Sequence, residues 1–175
     1  MQELEVIKIL QEELNFTDQS IDKLKMFEIE LLKANKKYNF IAKSTERSIW
    51  SRHFLDSAQL IKYINFNHGS LSDLGSGAGF PGLVLAIYNQ NFNFHVKLYE
   101  KSPVKRDFLD YMINKLKIKA ASYSNVFDGN IESDYIVSRA FKKLDKIIQV
   151  SREMIKKPHK LIILKGQNAQ EEANK

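Results

Sequence analysis

The sequence predicts an α/β fold with a mostly parallel sheet, preceded by a block of helices. Three observations carry this. Up to residue 64 the apolar residues recur at helical spacing. Beyond it, short apolar runs alternate with helical stretches, the pattern of strand–helix–strand units. Four of the seven glycines fall between residues 75 and 82, at the first strand-to-helix junction.

Taken in order, residues 2–14 place Val6, Ile7, Leu10 and Leu14 among charges, as a helix requires. Residues 15–20 break that pattern and offer capping side chains. A second helix over 19–35 puts Ile21, Leu24, Phe27 and Leu31 on one face. A polar loop spans Tyr38–Thr45, and a third helix over 46–64 uses Ile49, Trp50, His53, Phe54, Leu60 and Ile61. The first strand is expected at 70–74, followed by a helix at 81–89 with Pro81 in its first turn. A strand at 94–99 ends at Glu100, and Pro103 opens a helix over 103–117. A weaker strand at 118–123, a strand at 134–138, a helix at 141–156 and a strongly apolar strand at 161–164 complete the pattern. The organisation expected is a helical segment, 1–66, packed on a core formed by 67–175.

Composition removes several chemistries. The chain of 175 residues has no cysteine, which excludes disulfides, zinc–cysteine sites, iron–sulfur clusters and thiol nucleophiles. His53, His68, His95 and His159 show no metal-ligand spacing, so no metal is expected. No run of eighteen apolar residues is present, and the acidic, amphipathic start does not read as a secretion signal, so a cytoplasmic protein without membrane contact is expected. The net charge of +6 suits a polyanionic partner, although a lysine-rich composition alone gives the same sum. Basic residues cluster before residue 53 and after the fourth strand, where they could line a path for nucleic-acid phosphates.

The glycine cluster separates one ligand class from another. A dinucleotide fingerprint beginning at Gly75 would need glycine at position 80, where the chain has Phe80. The spacing is Asp73-x-Gly75-x-Gly77-x-Gly79, which resembles the first motif of the class I S-adenosylmethionine-dependent methyltransferases. In that resemblance Asp73 lies near the methionine end of the cofactor; its alternative role is a turn cap. Glu100, at the end of the second strand, stands where an acid accepts hydrogen bonds from ribose hydroxyls. Its alternative is a solvated side chain beside Lys101.

Three signatures sharpen the resemblance. The first is Asn39-Phe40-Ile41-Ala42 followed by Arg52-His53-Phe54-Leu55-Asp56-Ser57. The second is Asp73-Leu74-Gly75-Ser76-Gly77-Ala78-Gly79-Phe80-Pro81-Gly82. The third is Ser138-Arg139-Ala140 with Leu164-Lys165-Gly166. Together they make residues 39–166 similar to the small-subunit rRNA guanine-N7 methyltransferases, also called glucose-inhibited division protein B.

The resemblance implies a Rossmann-like class I methyltransferase core, S-adenosyl-L-methionine as cofactor, and 16S rRNA or the small ribosomal subunit as partner of a monomer. It implies that Gly75 and Phe80 line the cofactor pocket, with Gly77 in the same loop, and that Arg139 contacts cofactor or substrate. It also implies a neighbouring pair in the loop after the third strand, Val126 and Phe127 in this chain. The family's Arg-x-Glu pattern there is replaced by Ser124-Asn125-Val126-Phe127, so a carboxylate contact is lost while backbone contacts can persist.

No catalytic side chain is assigned, because guanine N7 carries no proton to remove and asks for orientation rather than a base. Pyrimidine C5 chemistry of the cysteine type has no nucleophile here. Exocyclic amine methylation commonly uses a Pro-Pro-aromatic motif where this chain reads Ser138-Arg139-Ala140-Phe141. A non-catalytic RNA-binding or ribosome-assembly factor on the same fold is the alternative. A structural, hydrogen-bonded His53 is favoured over a catalytic one, with Asp56 its partner or a local cap. Phe40 and Phe80 are the aromatics to which a splayed base could stack. The family's fold continues with further strands beyond Gly166. The expectation is therefore a core short of its C-terminal strands, an apolar edge at Leu161–Leu164, and lowered solubility or activity.

Overall fold

A computed structural model of the chain describes residues 1–124, 131–139, 144–155 and 157–165. Helix α1 covers Glu3–Glu12 and α2 covers Asp18–Tyr38. The break between them holds the expected cap: Thr17 Oγ1 accepts the Ser20 N–H at 3.1 Å. Helix α2 ends at Asn39, whose φ of 50° is left-handed. The buried Asn35 then sets the exit path, accepting the Ile41 N–H at 2.8 Å through Oδ1 and donating to Glu46 at 2.6 Å through Nδ2.

The third helical stretch is not one regular helix. Lys43–Ser48 is a 3₁₀ turn, Trp50–Leu55 a π-turn, Asp56–Ala58 a short α3, and Gln59–Tyr63 a second 3₁₀ turn. The reason lies in packing. Trp50, His53 and Phe54 are all buried, but toward different neighbours. The Trp50 indole donates to Glu28 on α2, His53 reaches the sheet, and Phe54 meets Phe27. A widened turn splays three side chains that a regular α-turn would stack on one face.

The sheet is five-stranded and parallel throughout: β1 Gly69–Leu74, β2 Phe94–Tyr99, β3 Ala120–Tyr123, β4 Tyr135–Arg139 and β5 Lys160–Leu164, in the order β3-β2-β1-β4-β5. Between strands run α4 Gly82–Tyr88, α5 Pro103–Leu116 and α6 Leu144–Met154. Pro103 opens α5 as expected, whereas Pro81 sits one residue ahead of α4. The fold class read from sequence is the one observed. Strand β5 bonds to β4 along its length, with Leu161–Leu164 partly covered, and no further strand lies beyond it among the described residues.

One apolar cluster joins Val6, Leu10, Phe27 and Leu31 of the N-terminal helices to Leu71, Leu83, Val96 and Leu109 of the sheet and its helices. Phe27 and Phe54 are fully buried in it, each worth about 1.5–3 kcal/mol of transfer free energy. A smaller cluster around Leu74, Ile136, Val150 and Ile155 packs separately. The N-terminal helices thus share one core with the sheet and help place its carboxyl end.

Candidate active site

The chain winds from β1 to β2 and β3 on one side of the sheet, then returns to β4 and β5 on the other. The carboxyl ends of β1 and β4 therefore bound the crevice at which an open parallel sheet takes its ligand. Three sequence-predicted elements meet there: the loop after β1, Glu100 after β2 and Arg139 ending β4. Ser138 Oγ donates to the Leu74 carbonyl at 2.9 Å and ties the two strand ends together.

The loop Gly75–Pro81 is folded by its own backbone. Gly75 and Ser76 both donate to the Tyr99 carbonyl, at 2.9 and 3.0 Å, which pulls the loop across the end of β2. Gly77 has a φ of 57°, and among the described residues a Cβ built on it would meet nothing closer than the Gly75 carbonyl at 3.9 Å. It therefore opens a bare backbone face. Gly82 serves differently: a Cβ there would run into Leu98 and the Asp73 carboxylate, so glycine lets α4 close on the sheet.

Asp73 is fully buried, and its Oδ2 accepts the Gly82 N–H at 2.9 Å. This is the capping role, and it pins the start of α4 to β1. Asp73 Oδ1 is buried without a hydrogen-bond partner among the described residues. Burial pushes the carboxyl up to about 7, against the opposing pull of the Gly82 N–H and the Ser76 hydroxyl. Glu100, only 9% exposed, uses both oxygens on backbone: Oε2 accepts from Gly77 N–H at 2.9 Å and Oε1 from Ser102 N–H at 2.8 Å. A carboxylate has about four lone-pair positions, so two remain for a ligand hydroxyl.

Arg139 ends β4 with its guanidinium 4.9 Å from the Phe80 ring centroid. Its Nη1 lies 2.9 Å from His53 Nδ1 and 3.4 Å from the Arg52 carbonyl. The His53 ring stacks on Phe80 at 4.9 Å, and its Nε2 lies 2.9 Å from Thr45 Oγ1. Both His53 nitrogens are thus engaged, so Asp56 is not its partner, which sets aside one of the two roles the sequence left open for Asp56. Burial, then the charges of Arg139 and Arg52, hold the His53 imidazole down at about 4. Sequence reasoning singled out His53 and Arg139 separately and missed their contact, which no local spacing reveals.

Phe80 is 2% exposed and packs among Phe27, Phe54 and His53. Its side chain belongs to the core, so it has no face for a substrate base, and what it offers a cofactor is backbone. Phe40 differs: it stacks on Tyr38 at 5.4 Å and lines a groove of about 260 Å³ with Val104, Phe108 and Tyr111. Val126 and Phe127 lie outside the described residues. No cluster able to hold a metal ion occurs among the described residues.

Residues 20–175 match the family model GidB, rRNA small subunit methyltransferase G. The chain belongs to the GidB family. Curated relatives named ribosomal RNA small subunit methyltransferase G include one from Pelagibacter ubique, 35% identical over 80% of this chain and 68% of its own length. One from Mesoplasma florum is 32% identical over 94% of this chain and 72% of its own. One from Rickettsia akari is 36% identical over 85% of this chain and 76% of its own. Among solved structures, coclaurine N-methyltransferase bound to S-adenosylhomocysteine superposes with a TM-score of 0.52 at 14% identity, over 93% of this chain and 63% of that one. M. jannaschii TYW2, solved with S-adenosylmethionine, gives 0.50 at 19% identity over 62% and 50%. At these identities the likeness shows a shared methyltransferase fold. In this GidB-family chain, no helix of the described residues is long and apolar enough to cross a membrane.

Proposed function

We propose that this protein transfers a methyl group from S-adenosyl-L-methionine to N7 of a guanosine in 16S rRNA. The observation that carries the reading is the convergence of the Gly75–Pro81 loop, Glu100 and Arg139 at the reversal point of the sheet, in a chain of the GidB family.

The residues present fit the cofactor. Gly77 presents open backbone and Glu100 keeps lone pairs for ribose hydroxyls, while the fully buried Asp73 shapes the loop through its bond to Gly82. Gly75 and the Phe80 backbone complete the loop side, and Arg139 supplies a cation for an anionic group. When bound, the cofactor would supply a sulfonium methyl to the N7 lone pair, the carbon–sulfur electron pair remaining on sulfur. The chain's own residues bind and orient. None has to accept a proton, since N7 bears none. The buried environments agree, because the site's histidine is spent on Thr45 and Arg139 and Asp73 sits closed beneath the loop.

The partner is 16S rRNA, free or in the small subunit, and the protein acts as a cytoplasmic monomer. The helices of residues 1–66 support the core of 67–175. Exposed Arg52, beside Arg139, extends the positive charge out of the crevice toward RNA phosphates.

The test is methylation of small ribosomal subunits from cells lacking this activity, using S-adenosylmethionine labelled in the methyl group. Label in 7-methylguanosine, lost with Gly75→Asp, supports the proposal. Label in another nucleoside overturns the N7 assignment. RNA binding without cofactor binding favours the non-catalytic assembly factor.

A further inference from the structure

We infer that His53 is a positioning residue that holds Arg139 at the mouth of the β1–β4 crevice through a bare Nδ1. Both ends of the contact fix the same His53 tautomer. Arginine donates and cannot accept, so the Nδ1 atom 2.9 Å from Arg139 Nη1 carries no proton. The neutral ring then carries its proton on Nε2, which donates to Thr45 Oγ1 at 2.9 Å. From the other end, Thr45 has a single hydroxyl proton, and it is donated to the Ala42 carbonyl at 2.8 Å. The Thr45 oxygen is therefore an acceptor toward His53, which demands the same tautomer.

Packing locks the arrangement. His53 stacks on the Phe80 ring at 4.9 Å, and the Arg139 guanidinium sits over the same ring at 4.9 Å. The ring is 8% exposed, and the Asn35 side chain fixes the turn that delivers the Thr45 segment. Among the described residues, the charged groups around the pair are Arg52 and Asp56 on the same helical stretch and Asp73 on β1. A protonated His53 would lose its acceptor and set a second cation against Arg139 and Arg52; the site is built to keep it neutral.

The consequence concerns charge. Among the described residues Arg139 makes no ion pair, and its hydrogen-bond partners there are two neutral acceptors, His53 Nδ1 and the Arg52 carbonyl. Asp73 and Asp56 act on the guanidinium through space without bonding it among the described residues, and an oriented guanidinium with no ion-pair partner among those residues at a ligand crevice fits an oxyanion, either the carboxylate of the methyl donor or a phosphate of the RNA. The role of Arg139 rests on the proposed function; its hold by His53 does not.

Three variants of the full chain separate positioning from packing. His53→Asn keeps an acceptor where Nδ1 stood but does not reach Thr45. His53→Gln reaches toward Thr45 and leaves Arg139 without its acceptor. His53→Phe keeps the ring on Phe80 and loses both bonds. The probes are S-adenosylmethionine and a 16S rRNA fragment in equilibrium binding, with melting temperatures alongside. Nitrogen-15 NMR reads the His53 tautomer and the Arg139 side chain without any ligand. The expected result is an unprotonated His53 Nδ1 in the wild type. Binding should be lost about tenfold or more in the Gln and Phe variants and at most about threefold in Asn, the scale of one charge-assisted hydrogen bond. Loss confined to S-adenosylmethionine supports the proposal with the carboxylate as the anion, and loss confined to RNA supports it with a phosphate. Equal losses in Asn and Gln that follow melting temperature, or a protonated Nδ1, overturn it. A wild type that binds no S-adenosylmethionine overturns the proposed function, while the NMR arm still decides the His53–Arg139 contact.

Discussion

Glu100 Oε2 accepts the Gly77 N–H at 2.9 Å, so the carboxylate ending β2 fastens the glycine loop that follows β1. Its Oε1 takes the Ser102 N–H at 2.8 Å just before α5. One side chain therefore holds two loops that face the crevice, and its acceptor character is what both need.

Glu100→Gln replaces one of those acceptors by an NH₂ facing a backbone N–H. The expected loss is about 1–3 kcal/mol of stability, the cost of an unsatisfied buried donor, together with weaker S-adenosylmethionine binding. Urea denaturation and equilibrium binding check it. Unchanged stability would contradict the double capping.

Gly77→Ala and Gly82→Ala should separate binding from folding. Alanine at Gly77 meets open space among the described residues but a φ of 57°, a cost of about 1–2 kcal/mol, and its methyl group intrudes on the bare face of the loop. Cofactor affinity should fall well beyond the stability loss. Alanine at Gly82 collides with Leu98 and Asp73, so overpacking of about 1–3 kcal/mol should appear mainly as a lowered melting temperature. The reverse ranking would contradict these assignments.

Two buried groups give opposite pH slopes. Asp73 is raised from 3.8 to about 7, so between those values the folded state keeps a proton that the unfolded state releases, and stability falls as pH rises. His53 is lowered from 6.5 to about 4, so there the unfolded state binds the extra proton, and stability rises with pH. Relative to wild type, Asp73→Asn should steepen the rise of stability with pH, and His53→Phe should remove part of it. Urea denaturation across the pH range from about 4 to 7 tests this. Parallel curves for all three proteins would contradict it.

Glu30 on α2 accepts from Lys33, Lys115 and the Tyr111 hydroxyl, each at 3.0 Å, and so clips α2 to α5. The Lys33 contact leads in drawing its carboxyl from 4.5 down to about 2, so its contribution is present above 4.5 and lost as pH falls toward 2. Glu30→Gln should cost about 1 kcal/mol at neutral pH and less in high salt. A salt-independent loss would point to packing instead.

The parts legible in the sequence are those fixed by neighbours along the chain. The run from Asp73 to Gly82 states its turn through glycine spacing, β2 ends where Glu100 interrupts the apolar alternation, and Pro103 marks α5. The illegible parts depend on distant contacts. Nothing near Trp50 announces a π-turn, because its cause is three burials in different directions. The His53–Arg139 bond spans 86 positions, so sequence alone offered only nearby Asp56, as a partner of His53 or a local cap. Phe80 reads as a pocket residue by motif, yet its ring completes the aromatic core.

The most direct measurement is calorimetric titration of S-adenosylmethionine into the full chain and into Gly77→Asp, with both proteins first shown to melt cooperatively. One equivalent should bind to the wild type and none should be detected in the folded variant, because a carboxylate would occupy the open face of the loop. Binding that is absent from the wild type, or undiminished in the variant, would contradict a methyl-donor site at the Gly75–Pro81 loop.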